Sequence, residues 1–331
     1  MSQKTEARSA LAAKPIETFP SDRIPLAKIK EFTETRRFLK ARPHLPIGIF
    51  LPGKREPLQT VAFTRYTAEF SKMLEDRVGA NSSLSDGTLV DKFCAVFPLI
   101  VESVDELPVD EFLRQLTGTE EGKKPKQSAI KEALLGLAVA DVFAILLYAR
   151  TLLLGTEIEL NWQCINNHAN SDYKAGEYHD IAETEARLLR SPQLELTGLP
   201  QVLVPLGSGF TLDGQLITEA LMRPLTLESL QSLKPGRTMS MRQIVEMTLV
   251  SFPQIPHDSV FAGTGLKSPT IRRAITDPQV MARLESAADK MSTFGVDTTI
   301  STKCRTCGVE SDSAMGFADV ARFLSSGVVT D

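Results

Sequence analysis

The chain has 331 residues, 42% of them hydrophobic and 24% charged, with 41 acidic residues against 37 Lys and Arg. This is the composition of a globular protein, and it excludes collagen-like, disulfide-scaffold and wholly disordered chains. At such a length two packed domains of roughly 150 residues each are expected rather than one.

In chain order, residues 1–43 come first and carry ten Lys or Arg and five acids, so a basic arm of +5 precedes a body of −9. An arm of this kind suits an acidic protein surface. Without interleaved aromatics or a recognised motif it gives little reason to expect nucleic acid, although a zinc-containing nucleic-acid-associated factor is the alternative reading of the chain. The opening MSQKTEARSALAAK lacks the apolar core of a secretory leader, so synthesis in the cytoplasm is expected.

Residues 44–190 make a first lobe. Thr60 to Leu74 (TVAFTRYTAEFSKML) reads as a strand that enters a helix at Thr67, a residue type that caps helix starts. LVDKFCAVFPLI, Leu89 to Ile100, reads as a helix stopped by Pro98, with Cys94 as a small core residue. GTEEGKKPKQS is a charged surface loop. Ile130 to Leu154 is apolar and long enough to span a bilayer, but Asp141 near its middle would be costly in lipid; a buried core helix and no membrane partner are expected. After Gly155 a short alternating strand leads to Cys164, and HDIAETEARLL reads as a helix led by Asp180.

Residues 191–212 hold Pro, Gly and short β-like runs and read as a linker or ribbon; their GSGF lacks the Lys and the helix context of a phosphate loop. Residues 213–331 make a second lobe that repeats the first. EALMRPLTLESLQSL, Glu219 to Leu233, matches Thr60 to Leu74 through Arg, Thr-x-Glu and Leu. IVEMTLVSFPQI, Ile244 to Ile255, lies over Leu89 to Ile100 without a gap, and Met281 to Cys304 lies over Asp141 to Cys164 with Gly295 on Gly155 and Cys304 on Cys164. A helix that is apolar all round in the first copy and polar-faced in the second places the first centrally and the second peripherally. ADVARFL around Asp319 then matches HDIAETEARLL.

Chemistry concentrates at Cys164, His168, Cys304 and Cys307. CINNH offers a C-x3-H pair and CRTCG a C-x2-C pair, each at the same place in the repeat. Two tight turns with two ligands each would complete one tetrahedral Cys3His zinc site, closed to substrate and therefore structural. His179 is an alternative to His168. A redox pair would want a thioredoxin-like βαβ setting, and an ordinary loop beside stray thiols is the remaining alternative. No G-x-S-x-G, H-E-x-x-H or P-loop is present, and the pairs Glu75/Asp76, Asp105/Glu106 and Glu120/Glu121 read as solvated acids, so no catalytic residue is expected. The expected fold is mainly α with short β elements (α+β), in two pseudo-repeated lobes braced by the paired zinc knuckles.

The order FLPGKREPLQTVAFTRYT, LVDKFCAVFPLIV, DVFAILLYARTLLLGTEIEL, then a Cys knuckle and an Asp-led helix, resembles the baseplate protein family of T-even and other contractile-tailed phages, which includes hub components and hub-assembly factors. The resemblance covers residues 45–190 well and 213–324 more weakly. It rests on a Pro-Gly turn entering a β-segment, the Asp141-to-Arg150 helix, Gly155 and the Cys pair. This chain departs from the pattern in having His168 where a second Cys is expected and in carrying the unit twice. The resemblance implies a non-enzymatic virion or assembly protein of the tail baseplate, made in the host cytoplasm. Its implied partners are other baseplate or hub proteins, with tail tube, spike or tape-measure proteins as further candidates.

Overall fold

The computed structural model describes residues 23–37, 43–79, 82–84, 87–160, 166, 177–189, 198–212, 214–231, 240–254, 276–292, 294–304, 306–316 and 320–321. Helices and strands mix throughout, giving an α+β fold. Two strands are longer than the short β elements expected from the sequence, as described below.

The first unit begins with β3 (His44–Ile49) and β4 (Leu58–Phe63), an antiparallel pair. They follow β1 (Arg23–Pro25), a 3-10 helix (Leu26–Phe32) and β2 (Thr33–Arg37). After β4 the period of the apolar residues changes from two to helical, and Thr67 accepts a hydrogen bond from the Phe70 amide at 3.1 Å to start α1 (Ala68–Val78). A capping box between Thr88 and Asp91 starts α2 (Leu89–Ile100). The chain then returns as β5 (Val101–Val104), antiparallel to β4. Pro98 does not stop α2, which runs on to Ile100. In the last turn its ring and missing amide forfeit a single backbone bond, and Val101 closes the helix through Phe97.

β5 turns into β6 (Leu107–Pro108) through Asp105 and Glu106, both at positive φ (44° and 71°). Neither is glycine, so the turn is strained and needs support. Asp105 supplies it by accepting from the amides of Gln59 (2.9 Å) and Thr60 (2.6 Å) and from the Thr60 hydroxyl (2.5 Å). The residue that read as a solvated acid is thus a clamp between the turn and β4. Asp105→Ala is expected to cost about 2 kcal/mol, measured as a lower denaturant midpoint; an unchanged midpoint would show these bonds to be redundant.

Three helices complete the first core: α3 (Val109–Leu116), α4 (Gln127–Leu135) and α5 (Val139–Leu154). The apolar stretch over 130–154 is therefore split between α4 and α5. Among the described residues no helix is long and apolar enough to cross a membrane. Asp141 through Arg150 are all buried, with Phe93, Phe97 and Phe112 in the same core.

From Gln201 the chain runs strand, strand, helix, helix and strand. β10 (Gln201–Leu212) and β11 (Gln215–Met222) form a long antiparallel ribbon over part of the stretch expected to be linker or ribbon. Thr226 precedes α6 (Leu227–Gln231), a Ser240–Gln243 capping box starts α7 (Met241–Thr248), and β12 (Leu249–Ser251) returns antiparallel to β11. α7 ends well before Pro253. Then α8 (Pro278–Ser292) buries Val280, Leu284, Ala287, Ala288 and Met291 and leaves its other faces polar, as its sequence predicts.

The expected helix over HDIAETEARLL is not formed. Ile181–Glu183 make one 3-10 turn, and Glu185–Leu189 form β9, whose Ala186, Leu188 and Leu189 are buried. β9 pairs with β2 and with β13 (Gly295–Val296), so two partners from distant sequence override the local acid-led helical pattern. Part of the basic arm is likewise built in: β1 pairs parallel with β10, and Ile29 and Phe32 are buried in the second core. The equivalent segment around Asp319 lies outside the described residues except for Val320 and Ala321.

The two hydrophobic cores meet at β3. Leu45 and Ile49 belong to the first and Ile47, between them in sequence, to the second. Residues two apart share a face of a regular strand, so the turn of Ile47 to the other core goes with the irregular register of β3 against β4 and the positive φ of Gly48, and this strand serves as the wall between both cores.

Candidate functional site

The described thiols of interest sit on a hairpin. β14 (Thr299–Lys303) and β15 (Glu310–Ala314) pair antiparallel in register Lys303 to Glu310. The loop between them is closed by the Gly308 amide donating to the Cys304 carbonyl (2.8 Å) and the Cys304 amide donating to the Val309 carbonyl (2.9 Å). Gly308 has φ +69°, which a side chain rarely adopts, and so permits the tight turn. Cys304 is buried at 1% exposure, Cys307 is exposed, and neither is in a disulfide. The two thiols thus flank one short loop, one facing the protein interior and the other solvent.

The CINNH segment falls in sequence between β7 (Glu157–Leu160) and β8 (Glu177–Asp180), which pair antiparallel. Cys164 and His168 lie outside the described residues. Between them in sequence, Asn166 is described, and its side-chain amide donates to Cys307 Sγ at 3.6 Å. Asn166 and Cys307, 141 residues apart in sequence, are therefore neighbours. His179 is a backbone partner of Ile158 within β8. Among the described residues no group of three or more His, Cys, Asp or Glu could hold a metal. Cys94, by contrast, is core: burial pushes its thiol up to about 11, which keeps it protonated and unreactive at neutral pH.

A helix and a glycine precede each of these strand pairs. α5 ends at Gly155 with φ +81°, and α8 is followed by Gly295 with φ +133°. A Cβ on Gly295 would lie 3.4 Å from the Ala140 side chain, so the second turn packs against the start of α5. The buried Arg150 donates to the carbonyls of Gly155 (3.0 Å) and Glu157 (2.6 Å), tying the helix end to the first residue of β7.

Asp141, at the other end of α5, is fully buried and accepts from the amides of Ile47 (2.8 Å) and Gly48 (3.1 Å). Burial pushes its carboxyl up to about 7, and the two amide bonds offset that in part. Gly48 itself has φ +97°, and a Cβ there would lie 2.8 Å from the Pro57 side chain. Asp141 thus pins α5 to the strand that separates the two cores. Sequence reasoning singled out Asp141 only as a charge unsuited to lipid; a lone carboxylate inside an apolar helix was the available signal of a buried partner.

The GSGF segment is a bulge in β10, with Gly207 and Gly209 at φ +70° and +68° and a break in register between Pro205 and Phe210. A Cβ on Gly209 would fall 2.0 Å from the Ile217 carbonyl oxygen, which accounts for that glycine. Of the other acid pairs, Glu75 and Asp76 are exposed on α1, and Glu120 and Glu121 are exposed in the loop before α4. Comparison of the chain with protein families, with characterised proteins and with solved structures finds no match.

Proposed function

We propose that this protein is a structural or assembly component of a contractile-tail phage baseplate or hub that binds other baseplate subunits. In this reading it is not an enzyme, and one structural zinc, held by Cys164, His168, Cys304 and Cys307, cross-braces two pseudo-repeated lobes. The observation that carries the brace is the 3.6 Å contact from Asn166 to Cys307, because it sets the middle of one ligand pair against a member of the other. Thiolates presented by a tight hairpin turn fit zinc, and a site filled by four protein ligands acts through stability rather than turnover. Support for the repeat comes from the two strand–helix–helix–strand units, β4–α1–α2–β5 and β11–α6–α7–β12, in which the returning strand pairs with the entering one each time. The baseplate reading rests on the family resemblance, whose Asp141, Arg150 and Gly155 all serve to fix α5 in place.

Two measurements test the proposal. Metal analysis of purified protein should find about one zinc per chain in wild type, and loss of it in both Cys164→Ser and Cys307→Ser; wild type without zinc would remove the brace. A nonsense mutation in the gene, in a phage that carries it, should yield filled heads without functional contractile tails. Normal tails from the mutant would overturn the baseplate assignment.

A further inference from the structure

α8 presents two faces outside the core, and they differ in charge. Gln279, Arg283, Ser286 and Lys290 recur at spacings of three and four and so share one stripe, whereas Glu285 and Asp289 fall off it. Asp277, just before the helix, is occupied in accepting from the amides of Gln279 and Val280. The stripe therefore carries two cations and no acid. It forms one side of an open groove of about 570 Å³, which is also lined by Leu26 and Ala27 of the 3-10 helix and by Pro205 of β10.

The bulge in β10 orders this groove. An ideal Cβ on Gly207 would lie 2.8 Å from Cζ, Nε and Nη2 of Arg283 alike, so the guanidinium lies face-on over the glycine and any larger residue would displace it. One face of the guanidinium is thereby covered while its N–H edges remain available, and Arg283 makes no ion pair or side-chain hydrogen bond among the described residues. Planar donors held in place before a partner arrives lose less entropy on pairing with a carboxylate than a freely moving Lys would.

We infer that this groove is a docking site for an extended acidic segment of a partner protein, its carboxylates on Arg283 of the α8 stripe and its apolar side chains on Leu26, Ala27 and Pro205. Charge complementarity selects this occupant, since the groove offers cations from the α8 stripe beside apolar surface from the 3-10 helix and Pro205. A small molecule would want an enclosed pocket that covers most of its surface. This groove is open along one side, as a docked chain segment requires. The inference is independent of the baseplate assignment and of zinc.

The test uses the full chain and two fluorescein-labelled peptides, one alternating Glu with Leu and one alternating Lys with Leu, with binding read by fluorescence anisotropy. Wild type should bind the Glu–Leu peptide, less tightly as salt is raised, and not the Lys–Leu peptide. Arg283→Glu should weaken binding about tenfold or more. Ser286→Glu, an exposed change on the same stripe that leaves Arg283 and the helix core intact, should do likewise while the thermal melt stays that of wild type. The inference is overturned if wild type does not bind the acidic peptide, if both peptides bind alike, or if Ser286→Glu binds as wild type does. It is also overturned if a DNA oligonucleotide displaces the acidic peptide, which would make the groove a phosphate site.

Discussion

Asp141→Ala is expected to destabilise the protein by about 3 kcal/mol, because it strands two buried backbone amides, those of Ile47 and Gly48, without an acceptor. That is a large share of the 5–15 kcal/mol that holds a typical domain folded. The loss falls at the wall between the two cores, so it should loosen both together rather than unfold one helix. Chemical denaturation reads it directly, and a midpoint equal to that of wild type would refute the pinning role.

The same residue gives a pH dependence of defined sign. Its folded-state pKa, about 7, lies above the ordinary carboxylate value near 4, so the folded protein holds the proton more tightly than the unfolded chain does. The contribution of Asp141 is therefore fully present below about pH 4, is lost as pH rises towards 7, and is constant above that, a change of at most about 4 kcal/mol. Asp141→Asn keeps one acceptor oxygen and cannot titrate. Its stability between pH 4 and 7 should lack the part of the wild-type slope that Asp141 supplies, and an unaltered slope would assign the titration elsewhere.

The second large effect is predicted at the knuckles. If zinc joins CINNH to CRTCG, Cys307→Ser should release the metal and lower the melting temperature by about 5 °C or more, and a chelator should do the same to wild type. Cys307 is the informative position because it is exposed, so exchanging sulfur for oxygen there costs no packing. Cys304 is buried, and Cys304→Ser would add the cost of a buried hydroxyl to any loss of metal. Zinc binds thiolates, so its affinity falls in acid, where the Asp141 contribution is greatest. Melting curves of the zinc-loaded protein across pH 4 to 7 should therefore show two opposed trends, separable by adding chelator. A Cys307→Ser melt identical to wild type, with metal content unchanged, would sink the brace.

Much of the local structure was legible because its causes are local. Thr67 marks a strand-to-helix transition, since a side-chain oxygen at a helix start needs only the amides that follow it. Gly155 and Gly295 mark the turns after α5 and α8 because positive φ excludes most other residues. The all-round apolar pattern of α5 and the one-sided pattern of α8 correctly separated a central helix from a peripheral one.

Other readings failed where a distant partner outweighed a local preference. EARLL has an acid-led helical pattern, but β2 on one side and β13 on the other supply ladder hydrogen bonds that make it a strand. Pro98 is a helix breaker by type, yet in the last turn of a buried helix it costs one bond, which the packing around Phe97 and Ile100 outweighs. Asp105 read as a solvated acid because nothing nearby in sequence reveals that Gln59 and Thr60 present their amides to it.

By itself the sequence determined the caps, the glycine turns, the helix faces and the candidate metal ligands, all of which depend on residue type and on spacing within a few positions. Only the tertiary structure decided that β3 divides two cores, that Asp141 is held by amides more than ninety residues away, and that Arg283 lies over Gly207. Those outcomes depend on which distant segments become neighbours when apolar surface is buried, and hydrophobic burial is non-directional, so no local pattern specifies them.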